Sequence, residues 1–334
     1  MTDLALTELD AKRIFDELIV PVVFPDHPRG ETPAMTLVVG QPGTAVTRAA
    51  NQFADGQAAA VLSAVELRAF HPRYLELSRD RSNAGARILQ DSASVWMRSA
   101  LQHARTNKRS LLLDGTFSSS EVALAATGLF STSGFKTAVT VVAVSRAESL
   151  LALTSKSLLD ARMGRASPFT TLADHDNLYL DSRALVETLE ATPSVDRLTL
   201  IDGHGTKLFD ASRLDPREFA GAVAALDDAR VTRQSAGRAM RWLSELRAAT
   251  DYAVSLQQIP VSLAEVLAQL HEIGRDEVVP GLRLPQDSQA RPNAEAALER
   301  RLLAIRQSSK FERRPEHRHG PPVSTPDVDR GISL

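Results

Sequence analysis

Met35-Thr36-Leu37-Val38-Val39-Gly40-Gln41-Pro42-Gly43-Thr44-Ala45-Val46-Thr47 is the stretch that decides the fold. Its opening residues have no polar face, the pattern of a strand buried on both sides. A glycine-bearing loop follows at once, and then a helix is predicted. Strand, glycine loop and helix together form the setting of a phosphate-binding P-loop, G-x-x-x-x-G-K-[ST]. In such a loop, backbone N–H groups and a helix N-terminus receive the phosphates, and the lysine adds a point charge. Here Gly40 is the first glycine and Thr47 the hydroxyl, while Ala45 and Val46 occupy the places of the second glycine and the lysine. The loop length is kept and its charge is gone. Taken alone, the segment reads more simply as a plain β-to-α turn.

Outward from this stretch, short apolar runs alternate with longer helical ones. Ala59 to Ser63, Ser110 to Asp114, Ala138 to Val144 and Arg197 to Asp202 each read as buried strands. Asp202-Gly203-His204-Gly205 and Lys207-Leu208-Phe209 predict a hairpin at the sheet edge. Helices are predicted over Ala84 to Thr106, Glu121 to Phe130 and Ala147 to Ala161, the first turning Ile88, Val95, Trp96 and Leu101 to the core. This alternation indicates an α/β domain with a doubly wound parallel sheet. After Asp210 the strand signals stop. Phe219 to Leu226, Arg238 to Thr250, Val261 to Ile273 and Ala294 to Ile305 are amphipathic, which predicts a C-terminal α-helical extension. The expected division is a core over 1–210, the extension over 211–307 and a proline-broken, disordered tail over 308–334.

Thirty-nine basic residues against 41 acidic ones leave a net charge of −2, which argues against a nucleic-acid-binding surface. The chain has no cysteine, so disulfides, thiolate metal sites and cysteine nucleophiles are excluded. Its first fifteen residues lack the apolar core of a signal peptide, and the apolar run Leu18 to Phe24 is far below the ~20 residues of a membrane span. A soluble, cytoplasmic protein without a membrane partner is the expectation.

Six short pieces, in order, give the glycine loop more weight. An approach segment Arg13-Ile14-Phe15-Asp16-Glu17-Leu18-Ile19-Val20-Pro21 precedes Gly40-Gln41-Pro42-Gly43. The second strand leads into Glu66-Leu67-Arg68-Ala69-Phe70-His71-Pro72-Arg73-Tyr74, and the third ends in Asp114-Gly115-Thr116-Phe117. Arg162 to Arg165 stand before His175-Asp176, and Asp202-Gly203-His204-Gly205-Thr206-Lys207-Leu208-Phe209 closes the core. In these pieces, from about Arg13 to Asp210, the chain resembles the zeta-toxin family, P-loop kinases of bacterial toxin–antitoxin systems. The resemblance implies a P-loop kinase-like fold and ATP/Mg-dependent phosphorylation of a UDP-N-acetylsugar such as UDP-N-acetylglucosamine, opposed by an antitoxin. It assigns Gly40, Gln41, Pro42, Gly43, Thr44 and Thr47 to the nucleotide. It assigns Glu66, Arg68, His71, Asp114, Thr116, Arg162 and Arg165 to the substrate.

The departures from the family pattern bear on catalysis. The general base that the family carries after the second strand falls on Val65, and Ser63 stands at the preceding acidic place. Val46 and Val65 are therefore vestiges, and no catalytic residue is intact. Losing a general base costs ~10²–10⁴ in rate. Losing a preorganised charge costs about 10²–10³, and the two need not multiply. Arg48 is expected to miss the phosphates and not to replace the lysine, because successive helix positions project about 100° apart.

The retained residues also have plainer readings. Glu66 and Arg68 suit a solvated helix start, His71-Pro72 a helix stop, and Asp114-Gly115-Thr116 a strand-end turn. Ser92 and Ser94 precede Trp96 on its helix and could face a substrate cleft, while Trp96 suits the core. His317 and His319 lack a third ligand, and Asp174-His175-Asp176 lacks a second cluster, so no metal site is assigned. No G-x-S-x-G elbow supports a hydrolase. The leading expectation is a pseudokinase with a degraded Walker A loop, acting by ligand or partner binding. The alternative is an active kinase using ATP and Mg²⁺, and a third is an effector whose helical extension carries the function.

Overall fold

A computed structural model of the chain describes residues 5–24, 32–41, 43–44, 46, 49, 59–80, 83–115, 120–164, 170–215, 217–231, 235–256, 259–282, 284 and 289–308. Pro42, Ala45, Thr47, Arg48, Thr116, Phe117, Ser118, Ser119, Arg165, His317 and His319 lie outside the described residues, as does the tail from residue 309.

Six strands form one sheet: β1 Ala34–Val39, β2 Ala60–Ser63, β3 Leu111–Asp114, β4 Lys136–Val142, β5 Arg197–Ile201 and β6 Lys207–Ser212. Their order is β2-β3-β1-β4-β5-β6, parallel throughout except for β6, which pairs antiparallel with β5 as the expected edge hairpin. The central strands are buried nearly end to end because helices cover both faces. From β1 the chain leaves toward β2, whereas from β4 it leaves toward β5. That reversal opens a crevice at the carboxyl ends of β1 and β4, where open α/β sheets place their ligands.

The principal helices are α1 Glu8–Ile14, α2 Ala64–Leu67, α3 Asn83–Thr106, α4 Ser120–Ser131, α5 Arg146–Arg162, α6 Leu172–Ala191, α7 Ala222–Val231, α8 Ala236–Ser255, α9 Val261–Ile273 and α10 Ala290–Ser308. One face of the sheet (Met35, Leu37, Leu62, Leu113, Leu198) packs on Trp96, Phe130, Leu185 and Phe219. Phe219, Ala222 and Leu226, on and just before α7, belong to this sheet core. A second cluster joins Ala147, Leu150, Leu151 and Leu158 of α5 to Trp242, Leu246, Leu263, Leu267 and Leu298 of the C-terminal helices. Helices α8 and α9 thus pack on α5, and α10 packs on α8 and α9.

One detail differs from the sequence expectation, and two concern segments to which it gave no element. In α3 the buried stripe is Leu89, Ala93, Trp96, Ala100 and Ala104, whereas Val95 is 40% exposed and Ile88 and Leu101 are half-buried. Val95 sits about 100° round the helix from Trp96, so seating the indole turns it outward. The approach segment is helical: Thr7 caps α1 by accepting a hydrogen bond from the Asp10 N–H, and the helix continues through a π-helical stretch, Phe15–Ile19. Trp96 ties α3 to it, its indole N–H donating to the Ala11 carbonyl at 2.9 Å. His175 and Asp176 lie inside α6, which opens on a reciprocal Thr171/Asp174 cap. Among the described residues no helix is long and apolar enough to cross a membrane.

Candidate functional site

The loop after β1 is built by close approach. Gly43 has φ +86°, and a Cβ there would lie 2.0 Å from the Ser149 carbonyl oxygen on α5. Only glycine satisfies both conditions. At Gly40 a Cβ would fall 2.4 Å from Thr44 Oγ1 and 2.9 Å from Val46 Cγ2. Gln41 is almost fully buried and donates its side-chain N–H to the Val144 carbonyl at 3.1 Å, which ties the β1 loop to the β4 loop across the crevice. Its backbone carbonyl accepts from the Thr44 N–H at 3.1 Å and the Thr44 hydroxyl at 2.8 Å. The Gln41 Oε1 is buried without a partner among the described residues.

Val46 takes no part in this polar frame. It is 8% exposed and packs with Val38, Ala49, Leu112, Val142 and Ile201 in an apolar layer on the sheet. The lysine place of the motif is therefore turned into the protein.

A cavity of about 510 Å³ opens beside the loop, bounded by Gly43, Thr44, Val144, Asp202, Arg238 and Trp242 among others. Its size falls within the ~300–1,000 Å³ of small-molecule sites. Asp202 Oδ1 accepts from the backbone N–H groups of His204 (2.8 Å) and Thr206 (2.9 Å). Burial pushes this carboxyl up, but the Thr206 and His204 amides outweigh it and hold it below the usual carboxylate range. The far wall is α8. The Trp242 indole N–H donates to the Ala147 carbonyl at 3.0 Å, seating that helix on the first turn of α5.

A polar chain, buried at Ser149 and His175 and half-buried at Arg146 and Asp176, braces the same turn of α5. Arg146 clasps Asp176 through two 2.8 Å hydrogen bonds, Asp176 Oδ1 lies 3.1 Å from His175 Nδ1, and His175 Nε2 lies 2.9 Å from Ser149 Oγ. Burial lowers the His175 pKa against the raising effect of Asp176. A neutral imidazole protonated at Nδ1 donates to Asp176 and presents Nε2 as a hydrogen-bond acceptor to the Ser149 hydroxyl. The connectivity is that of a Ser–His–Asp triad, yet Ser149 and His175 are wholly buried, and the Ser145 and Arg146 carbonyls, each 3.2 Å from Ser149 Oγ, compete with His175 for its single proton. The chain joins α5 to α6 beneath Gly43.

The substrate-side residues occupy other places. Asp114 ends β3 in register with both Val38 and Ser63, at the carboxyl edge beside the loop. Glu66 is exposed on α2, and Val65 is 66% exposed there. Arg68 is half-buried against the Gln90 side-chain oxygen, and burial lowers its pKa. His71 caps the short 3₁₀ turn Arg68–Phe70 and accepts from the Arg73 N–H at 3.2 Å, so it does end a helix. Its Nε2 is buried and unpaired among the described residues, and burial, then Arg73, lowers its pKa. Arg162 is exposed at the C-terminal end of α5, roughly 20 Å by helix rise from the Ser149 turn that carries Gly43. Ser92 and Ser94 donate to the carbonyls of Ile88 and Gln90 within α3.

Sequence reasoning did not single out Arg238, Arg241 or Trp242 of the cavity wall. Among 33 arginines, two more on an amphipathic helix carry no signal, and only the docking of α8 gives them a place.

No match is found among curated proteins. The fold is similar to a solved structure from work on the PezAT chromosomal toxin–antitoxin system of Streptococcus pneumoniae, with a TM-score of 0.59 at 16% identity over 75% of this chain and 97% of that one. Weaker likenesses are to the AvrRxo1-ORF1:AvrRxo1-ORF2 complex with sulphate ions (TM-score 0.46, 13% identity, 91% of this chain and 87% of that one) and with ATP (0.45, 13%, 84% and 82%). The Zeta toxin family model matches residues 23–213, from the segment before β1 to just beyond β6. This match covers more than half of the sequence, and the sheet it spans is P-loop kinase-like, so the chain belongs to the zeta toxin family.

Proposed function

We propose that this chain is a pseudokinase of its family, which holds a nucleotide in the crevice between β1 and β4 and acts through that ligand or through a protein partner. The burial of Val46 in the apolar layer with Val38, Val142 and Ile201 carries this reading. The loop geometry that approaches phosphates is retained at Gly40 and Gly43, whereas the charge that drives transfer has become core. At the general-base place, Val65 is exposed and has no proton-accepting group.

ATP with Mg²⁺ and a UDP-sugar such as UDP-N-acetylglucosamine are the candidate ligands, with an antitoxin-like protein as candidate partner in the cytoplasm. The solved relative from a toxin–antitoxin system supports the partner only by family analogy. Among the described residues no group of three or more His, Asp or Glu side chains is placed to hold a metal, so Mg²⁺ would arrive with the nucleotide. Gly40, Gln41, Gly43 and Thr44 would contact phosphate, while Glu66, Arg68, His71 and Asp114 would line the sugar side. An active kinase is the second reading, favoured by the preserved close approaches at Gly40 and Gly43.

Calorimetric titration with ATP–Mg²⁺ and with UDP-N-acetylglucosamine, beside an assay for ADP release, tests the proposal. Ligand binding without turnover is the expected result. Turnover of ATP with the sugar nucleotide would establish the kinase instead, and no binding of either would remove the nucleotide from the function.

A further inference from the structure

We propose that Arg238 and Arg241 of α8 supply the phosphate-neutralising charge that the β1 loop lost at Val46, so that a diphosphate or triphosphate is held between Gly43–Thr44 and the C-terminal helix. This rests on the nucleotide reading above and extends it to a part of the chain beyond the matched family region.

Both arginines line the cavity that Gly43 and Thr44 bound from the opposite side. They stand three positions apart, so they share one face of α8. The helix is fixed by Trp242, 4% exposed and hydrogen-bonded to the Ala147 carbonyl, while Gly43 is seated against Ser149 two residues further along α5. The two walls are thus docked on the same turn of one helix, and both arginines bound the cavity that the loop bounds.

The arginines are also uncommitted. Among the described residues, neither guanidinium makes a hydrogen bond or an ion pair. The three carboxylates of the cavity each have a partner. Glu148 accepts the Ser145 hydroxyl at 3.2 Å, Asp202 accepts the two hairpin amides, and Glu245 accepts the Ser155 hydroxyl at 2.7 Å. No cavity carboxylate pairs with either α8 arginine, and planar guanidinium groups with five N–H donors each suit phosphate oxygens. The chemistry recognised is a pyrophosphate linkage, which a nucleoside triphosphate and a nucleotide sugar share.

The full chain is titrated with ATP–Mg²⁺, UDP-N-acetylglucosamine and inorganic tripolyphosphate, as wild type, Arg238→Gln, Arg241→Gln, the double variant, and Arg247→Gln as control. Arg247 lies about 180° round α8 from Arg238 and pairs with Asp251 at 3.6 Å. The expected loss is about tenfold for each cavity arginine and about a hundredfold for the pair, with no change for Arg247→Gln and unchanged thermal unfolding. Tripolyphosphate binding that follows ATP binding would place the contact on the phosphates. Loss for only one of ATP and the UDP-sugar would identify which of them the arginines receive. Wild-type binding that the double variant retains in full would overturn the role of the arginines and leave the nucleotide reading standing. Absence of wild-type binding to all three ligands would overturn both.

Discussion

Gly43 lies so close to Ser149 that a β-carbon on the former would come within 2.0 Å of the carbonyl oxygen of the latter. The contact is between two backbones, so neither side can give way by changing a rotamer. It seats the β1 loop directly on the first turns of α5, and the Arg146–Asp176–His175–Ser149 chain links those turns to α6.

Gly43→Ala is expected to destabilise the protein and abolish nucleotide binding together. The positive φ alone costs an L-residue roughly 1–2 kcal/mol, and the clash with α5 adds to it. Thermal unfolding should fall by several degrees, with ATP–Mg²⁺ heats vanishing from the titration of the variant at temperatures where it remains folded. An alanine variant that melts and binds as wild type would show that the loop is not held as described.

Val65→Asp restores a carboxylate at an exposed position, so stability should change by no more than about 0.5 kcal/mol. ADP release should stay at background, because Val46 still leaves the loop uncharged. Val46→Lys is expected to lower stability by about 1–3 kcal/mol, since the larger side chain must enter a packed apolar layer or distort the loop to leave it. Turnover appearing in Val65→Asp alone would mean that the loop is catalytically competent without its lysine.

Trp242 separates packing from hydrogen bonding at the α5–α8 contact. Trp242→Ala should cost about 3–5 kcal/mol through the cavity it leaves. Trp242→Phe should cost less, mainly through the ~1 kcal/mol bond to the Ala147 carbonyl. Denaturant midpoints measure both. If α8 is a wall of the ligand site, affinity should fall in the order wild type, Phe, Ala.

Acid should destabilise the fold. His71, His103, His175 and His271 all have pKa values below the ordinary one, each chiefly through burial. In the unfolded chain they bind protons below about pH 6.5, while the folded chain resists doing so. The unfolded state then holds more protons, so stability is full above pH 6.5 and declines as pH falls toward the depressed folded values. Urea midpoints should therefore be lower at pH 5.5 than at pH 7.5, and His271→Gln should shrink the difference. A midpoint that is flat or rises on acidification would contradict the burial of these groups.

The strands were legible because a strand covered on both faces has to be almost wholly apolar, as Leu111 to Leu113 are and as Val139 to Val142 are apart from Thr140. The hairpin was legible from Gly203 and Gly205. The N-terminal helix was not, because Val20-Pro21-Val22-Val23 has the β-branched content of a strand and only Thr7 signals a cap. Val95 misled for a related reason: periodicity places a stripe to within about one residue, and the large indole of Trp96 decided the rotation. At the candidate site, Gly40 was marked by the loop pattern and Gln41, Gly43 and Asp114 by the family resemblance, whereas Arg238 and Arg241 stand on a helix whose own pattern shows only which face is wet.

By itself the sequence determined the parallel sheet, the glycine loop after its first strand and the valine at position 46 of that loop, since each is written in consecutive residues. Only the tertiary structure decided that Val46 faces the apolar layer, that His175 is buried against Ser149, and that α8 closes the cavity opposite Gly43. Those outcomes depend on how α5, α6 and α8 pack against one another. Such packing sums many weak side-chain contacts between segments far apart in the chain, and no local pattern encodes it.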